Sequence, residues 1–207
     1  MLLALEHTIP SPGKHLCGLA WDGRHLWHSD GDTHTIYQLD PNSGRIDRKL
    51  ACPDVRTSLC CESGFLWQIA GRPKRIRKID PSDGEVRDEI SLSSNAERIC
   101  GLLVDGKTYW IGPEQEQWIT HHGLGSQELL GRYGPVPSGD GLDLIGDRLW
   151  YTSHRAGILA AVDIHSGEEI ARFELPGPPT DMCFDGERIW FNHFPAQEIC
   201  AVRLPET

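Results

Sequence analysis

Blocks of positive charge, long apolar runs and paired cysteine motifs are all missing from this chain. Its 207 residues carry 20 Lys and Arg against 30 Asp and Glu, for a formal net charge of −10, and no basic cluster exceeds the short Arg72–Lys78 stretch. A phosphate-backbone binder needs a concentrated basic face, so no nucleic-acid partner is expected. No apolar stretch approaches the roughly 18 residues that cross a bilayer, so no membrane partner is expected either. The opening Met1-Leu-Leu-Ala-Leu-Glu-His7 lacks a basic leader region, and Glu6 interrupts its apolar run, which points to a cytoplasmic protein. Seven cysteines occur, Cys60 and Cys61 adjacent, with no C-x-x-C pair. They read as free thiols, most of them small core hydrophobes, rather than as a disulfide framework or zinc ribbon.

One sentence is written five times. Gly18-Leu-Ala-Trp-Asp-Gly-Arg-His-Leu-Trp27 returns as Leu59–Trp67, Gly101–Trp110, Gly141–Trp150 and Asp181–Trp190, and the final Trp recurs at intervals of 40, 43, 40 and 40 residues. A fixed period of this length holding several short strands is the signature of a β-propeller. Asp-Gly or Ser-Gly between two apolar runs supplies the positive φ of a tight hairpin joining strands A and B. A second turn, Asp40-Pro-Asn-Ser-Gly44, Asp80-Pro-Ser-Asp-Gly84 and Asp163-Ile-His-Ser-Gly167, joins strands C and D. The fold expected is all-β, a single five-bladed propeller of four-stranded antiparallel blades at about 14–53, 54–95, 96–136, 137–177 and 178–205. The last copy has three strands, and the orphan strand Leu2–Ile9 should complete it, with Leu2, Leu3 and Leu5 as its apolar contacts, closing the ring around a narrow axial channel.

The A–B and C–D turns repeat almost verbatim, whereas the B–C and D–A loops on the opposite face diverge, which marks that face as the one adapted for binding. The repeat register places Cys17, Ser58, Cys100, Asp140 and Thr180 in one ring at the channel mouth, flanked by His15, Arg56, Glu97, Arg98 and Asp181. Strand B ends add His28, Asp30, Gln68, Glu114, His154, Asn192 and His193. His28, His154 and His193 are candidate acid–base groups, and His15, Cys17, Arg98, Asp140, Arg155, Asp181 and Asn192 are candidate ligand-binding groups. Cys17, Cys100, His28, His154 and His193 could instead converge on a zinc or copper ion, whose preferred donors are thiolate and imidazole. Each has a structural alternative: His28 could bond a neighbouring blade, Cys17 and Cys100 could pack, and Asp30 could shape a turn. His121 and His122 read as solvated surface.

The segment Cys17-Gly-Leu-Ala-Trp-Asp-Gly-Arg-His-Leu-Trp-His-Ser-Asp-Gly31 resembles the opening blade of bacterial and plant glutamine cyclotransferases. Those five-bladed propellers carry Gly-Leu, a turn, then Leu-Tyr-Glu-Ser-Thr-Gly, and Ile189-Trp-Phe-Asn192 is similar to their Ile-Trp-Ala-Asn. The resemblance implies the five-bladed fold and cyclisation of amino-terminal glutamine, with Asn192 and, loosely, Asp181 as matching site residues. The family's acid is replaced by His28, and its glutamates before the last Ile-Trp are not found in Pro179-Thr-Asp-Met-Cys183. Imidazole in place of carboxylate still provides acid–base chemistry near neutral pH. The short Gly-Leu/Trp-Asp-Gly repeats also resemble streptogramin lyase-like propellers, which use a histidine base. The expected function is therefore a monomeric enzyme of lyase, cyclotransferase or hydrolase type acting on a small polar or peptide-like molecule, or else a non-catalytic ligand- or protein-binding scaffold.

Overall fold

The structure, a computed structural model, describes residues 1–92 and 98–205 and shows twenty strands in five four-stranded antiparallel sheets. Blade 1 is β2 (Leu16–Trp21), β3 (Leu26–Asp30), β4 (Thr35–Leu39) and β5 (Ile46–Ala51). Blade 2 is β6 (Val55–Glu62), β7 (Phe65–Ala70), β8 (Arg75–Ile79) and β9 (Val86–Ser91). Blade 3 is β10 (Ile99–Asp105), β11 (Thr108–Pro113), β12 (Gln117–Gly123) and β13 (Leu129–Val136). Blade 4 is β14 (Gly141–Ile145), β15 (Arg148–Ser153), β16 (Ile158–Asp163) and β17 (Glu169–Glu174). Blade 5 is β18 (Pro179–Phe184), β19 (Ile189–His193), β20 (Glu198–Val202) and, on its outer edge, β1 (Leu5–Pro10). This is the five-bladed propeller expected from the repeat.

Turn chemistry explains why the repeat folds this way. In the C–D turn of blade 1, Asp40 Oδ1 accepts hydrogen bonds from the Asn42 and Ser43 main-chain N–H groups and the Ser43 hydroxyl, and Gly44 takes a φ of +70°. In the A–B turns of blades 1 and 5, Asp22 and Asp185 each accept the indole N–H of the repeat tryptophan, Trp27 and Trp190, at 2.7 Å. A single carboxylate thus ties the hairpin to the aromatic residue that packs between blades.

Ring closure is firmer than an added strand alone. β1 pairs antiparallel with β20, Ile9 facing Ile199, and beyond it Leu3 N–H donates to Glu174 O while Glu174 N–H donates to Met1 O on the outer strand of blade 4. The N-terminal segment therefore staples blade 5 to blade 4. Its buried side chains are Leu3 and Ile9, whereas Leu2 and Leu5 face solvent. The sequence expectation named Leu2 and Leu5 because it assumed that every leucine of the segment faces inward.

The axis is plugged rather than open. Asp181, on β18, is fully buried, and its carboxylate accepts from Leu19 N at 2.8 Å, Leu59 N at 3.0 Å, Ser58 Oγ at 3.0 Å and Met182 N at 2.9 Å. Blades 5 and 2 are not neighbours, so these bonds cross the centre of the ring. Small residues make the convergence feasible: a Cβ on Gly141 would lie 2.3 Å from Met182 N and 2.8 Å from Asp181 Oδ1. Asp181 is thus a central pin, where the sequence reading had it facing a ligand.

Candidate functional site

The B–C and D–A loops surround a cavity of about 380 Å³. Its wall takes His15, Leu16 and Cys17 from blade 1, Arg56 and Thr57 from blade 2, Cys100 and Glu114 from blade 3, Asp140, His154 and Arg155 from blade 4, and Thr180 and Phe194 from blade 5. Every blade contributes. Of the expected ligand-binding residues, His15, Cys17, Asp140 and Arg155 are brought together here, with Glu114, Arg56 and Thr180 from the same face.

Two imidazoles are oriented by their Nδ1 atoms. His154 Nδ1 lies 3.2 Å from the carbonyl oxygen of Pro179, an acceptor only, so Nδ1 carries the hydrogen, and in the neutral imidazole the lone pair is on Nε2. His15 Nδ1 lies 3.3 Å from Asp32 Oδ1, and its ring meets Phe194 edge-on at 6.0 Å. Beneath them, Asp140 Oδ2 accepts from Ser138 Oγ at 2.6 Å and from the His154 main-chain N–H at 2.7 Å. Burial pushes the Asp140 carboxyl above its ordinary range, and the hydrogen bonds from Ser138 and His154 only partly offset this.

The thiols are not activated. Burial, with the nearby Asp30 carboxylate, pushes Cys17 up to about 12, and burial with Asp140 pushes Cys100 higher still. Both are protonated at neutral pH, so neither is a poised nucleophile.

Several expected site residues lie elsewhere. His28 is fully buried between blades: Nδ1 lies 3.1 Å from Gly18 O, Nε2 lies 3.3 Å from Ser11 Oγ, and the ring stacks on Tyr37. Burial holds it down at about 4, against the opposing pull of Asp30, so it is a neutral structural group rather than a mouth residue. Asn192 is buried and donates to Cys17 O at 3.3 Å. His193 packs over Gly177 on the flank of blade 5, away from the cavity wall. Arg98 lines a separate groove of about 770 Å³ along blade 3, with Tyr109 and Trp118. Glu97 lies outside the described residues.

Smaller shifts have clear causes. The ring residue of blade 2 is Thr57 rather than Ser58: Thr57 stands two before Leu59, as Cys17, Cys100, Asp140 and Thr180 stand two before Leu19, Leu102, Leu142 and Met182, so Ser58 is one position out of register. Phe194 stands four residues after Trp190, the position that His154 and Glu114 hold after Trp150 and Trp110, but as an apolar residue in a polar loop it carries no acid–base signal. Asp30 shapes a turn, accepting from Thr33 and from the His15 main chain. His121 is not solvated surface; it stacks on Trp110 with ring centroids 3.8 Å apart. The five residues offered as a zinc or copper set do not gather: among the described residues, the group of His, Cys, Asp and Glu side chains close enough to hold an ion is a different one.

Buried ionisable groups outside the cavity make the pH dependence of stability specific. Asp143, which accepts from Phe184 N at 2.7 Å, is pushed by burial up to about 6, so from about pH 4 to 6 the folded chain retains a proton the unfolded chain has released. Its contribution falls as pH rises through that window, by roughly 3 kcal/mol at most. His28 has the opposite sign. Below pH 6.5 the unfolded chain takes a proton that the folded chain refuses until about pH 4, so its contribution is lost as pH falls, again by roughly 3 kcal/mol. In urea titrations between pH 4 and 7, Asp143→Asn is expected to gain stability relative to the parent as pH rises, and His28→Gln to gain as pH falls. Profiles parallel to the parent in both variants would refute these assignments.

Fold and site together define a five-bladed β-propeller with an ionisable cavity on its divergent loop face. No protein-family profile matches the chain, and no curated protein matches it in sequence. Among solved structures it is similar to glutaminyl cyclase from Myxococcus xanthus, with a TM-score of 0.80 and 13% identity over 98% of this chain and 96% of that one. It is also similar to BamB from Moraxella catarrhalis, with a TM-score of 0.48 and 12% identity over 90% of this chain and 71% of that one. The first likeness establishes the shared fold.

Proposed function

We propose that the loop-face cavity is an acid–base site for a small polar molecule of amino-acid or short-peptide type, with His154 as the group that moves the proton. The observation that carries this reading is the Pro179 carbonyl at 3.2 Å from His154 Nδ1, which selects the tautomer whose neutral form has its lone pair on Nε2, on a residue of the cavity wall. Arg56 and Arg155 can meet a substrate carboxylate, and Glu114 can meet an amine. A cyclotransferase-type reaction fits this set, and the fold shared with a glutaminyl cyclase supports it. An amine attacks a side-chain carboxamide carbon, a new C–N bond forms and the old one breaks. His154 takes the proton from the attacking amine and returns it to the departing ammonia, so no other reagent is consumed.

Peptides with amino-terminal glutamine, free amino acids and dipeptides are the compounds to screen by thermal shift and by mass spectrometry. A true ligand should stabilise by about 2.7 kcal/mol at a hundredfold excess over its dissociation constant. His154→Ala is expected to lower turnover by roughly 10²–10⁴, and to change stability by no more than about 0.5 kcal/mol because the side chain is exposed. Unchanged turnover in that variant would remove His154 from the chemistry. A ligand that stabilises the protein but is recovered unaltered would make the cavity a binding site only.

A further inference from the structure

We propose that His193, Glu198 and Cys200 form a zinc site on the face of blade 5 that packs against blade 4, separate from the loop-face cavity. One ligand atom from each lies within 4.8 Å of the others. The β-hairpin sets this arrangement. His193 at the end of β19 pairs directly with Glu198 at the start of β20, so their side chains leave the same face of the sheet, and Cys200 follows two residues later on that face.

Two features separate this cluster from ordinary packing. Among the described residues, neither the His193 imidazole nor the Glu198 carboxylate makes a hydrogen bond or ion pair, although both are half-buried and converge on a buried thiol. Space for the imidazole is provided by Gly177, where a Cβ would lie 2.1 Å from His193 Nε2. Thr8 on β1 donates a long hydrogen bond, 3.9 Å, to Cys200 Sγ, an outer-shell contact that orients the sulfur.

The donor set selects the ion. One imidazole, one thiolate and one carboxylate suit borderline-soft Zn²⁺ better than Ca²⁺ or Mg²⁺, which prefer all-oxygen sites. Thiolate and carboxylate together balance the dication, so the site is neutral when filled. Three protein ligands leave a fourth tetrahedral position for water.

The experiment uses the full chain purified without an affinity tag, titrated with Co²⁺ as a spectroscopic stand-in for Zn²⁺ in the presence of a competing chelator. One equivalent should bind with tetrahedral visible bands and a near-ultraviolet sulfur-to-cobalt charge-transfer band, and Zn²⁺ should displace it. Cys200→Ser should abolish the charge-transfer band, and His193→Ala and Glu198→Gln should each weaken binding at least tenfold. Cys61→Ser, at a half-buried cysteine elsewhere in the ring, should bind like the parent. If Cys200→Ser fails to fold by circular dichroism, the His193 and Glu198 variants decide, since both positions are half-exposed. Absence of stoichiometric binding, a charge-transfer band that survives Cys200→Ser, or unchanged affinity in both His193→Ala and Glu198→Gln would overturn the site.

Discussion

A chain lacking Met1–Pro10 is expected to lose cooperative folding, or to melt well over 10 °C below the parent. The segment contributes the outer strand of blade 5, the buried side chains of Leu3 and Ile9, and the reciprocal main-chain bonds between Met1–Leu3 and Glu174. Burying two such side chains is worth roughly 3–6 kcal/mol, and each ladder hydrogen bond adds about 0.5–1.5 kcal/mol net. Together these approach the 5–15 kcal/mol that typically separates a folded domain from its unfolded chain, roughly 2–4 °C of melting temperature per kcal/mol at this size. Truncation would also expose the outer edge of β20, a template for pairing with a second chain. Adding the ten-residue peptide back should restore the transition by strand addition. A truncated protein with the melting temperature of the parent would show that β1 does not close the ring.

The propeller was legible in the sequence because each blade repeats the same local physics: Asp-Gly turns, Asx-type C–D turns and a tryptophan at a fixed offset. Local rules of this kind survive degeneration of the rest of the repeat, since each acts within a few residues. Individual side chains were less legible where a single residue of register decides which one faces the cavity. Thr57 rather than Ser58 lines it, two positions before Leu59 as in the other copies. At the other strand ends, the distance from the repeat tryptophan decides between solvent and core, one residue for His28 and four for His154. His154 lies on the cavity wall, whereas His28 sits deep enough in its strand to be sealed between blades. Both look alike as polar residues after a repeat tryptophan. His193 faces the seam between blades because it pairs with Glu198, a register that only the hairpin geometry reveals.

Asp181 is the residue whose role departs furthest from its appearance, and Asp181→Ala is expected to cost roughly 3–5 kcal/mol, a fall on the order of 10 °C in melting temperature. The carboxylate is fully buried and accepts hydrogen bonds from three main-chain N–H groups and one hydroxyl on three different blades. Removing it leaves those donors buried without partners, at about 1–3 kcal/mol for each that water cannot reach. A partial offset exists. Burial raises the Asp181 carboxyl well above its ordinary range, so the charged form is disfavoured in place, and this part of the penalty disappears with the side chain. Asp181→Asn keeps one acceptor oxygen but turns an amide N–H₂ toward the remaining donors, so it should fall between the parent and Asp181→Ala. Ser58→Ala, which removes a single donor, should cost only about 1 kcal/mol. Because Asp181 does not reach the cavity wall, the folded fraction of Asp181→Asn should bind cavity ligands as the parent does. A variant that keeps the parent's melting temperature but loses ligand affinity would reverse the assignment and return Asp181 to the binding site.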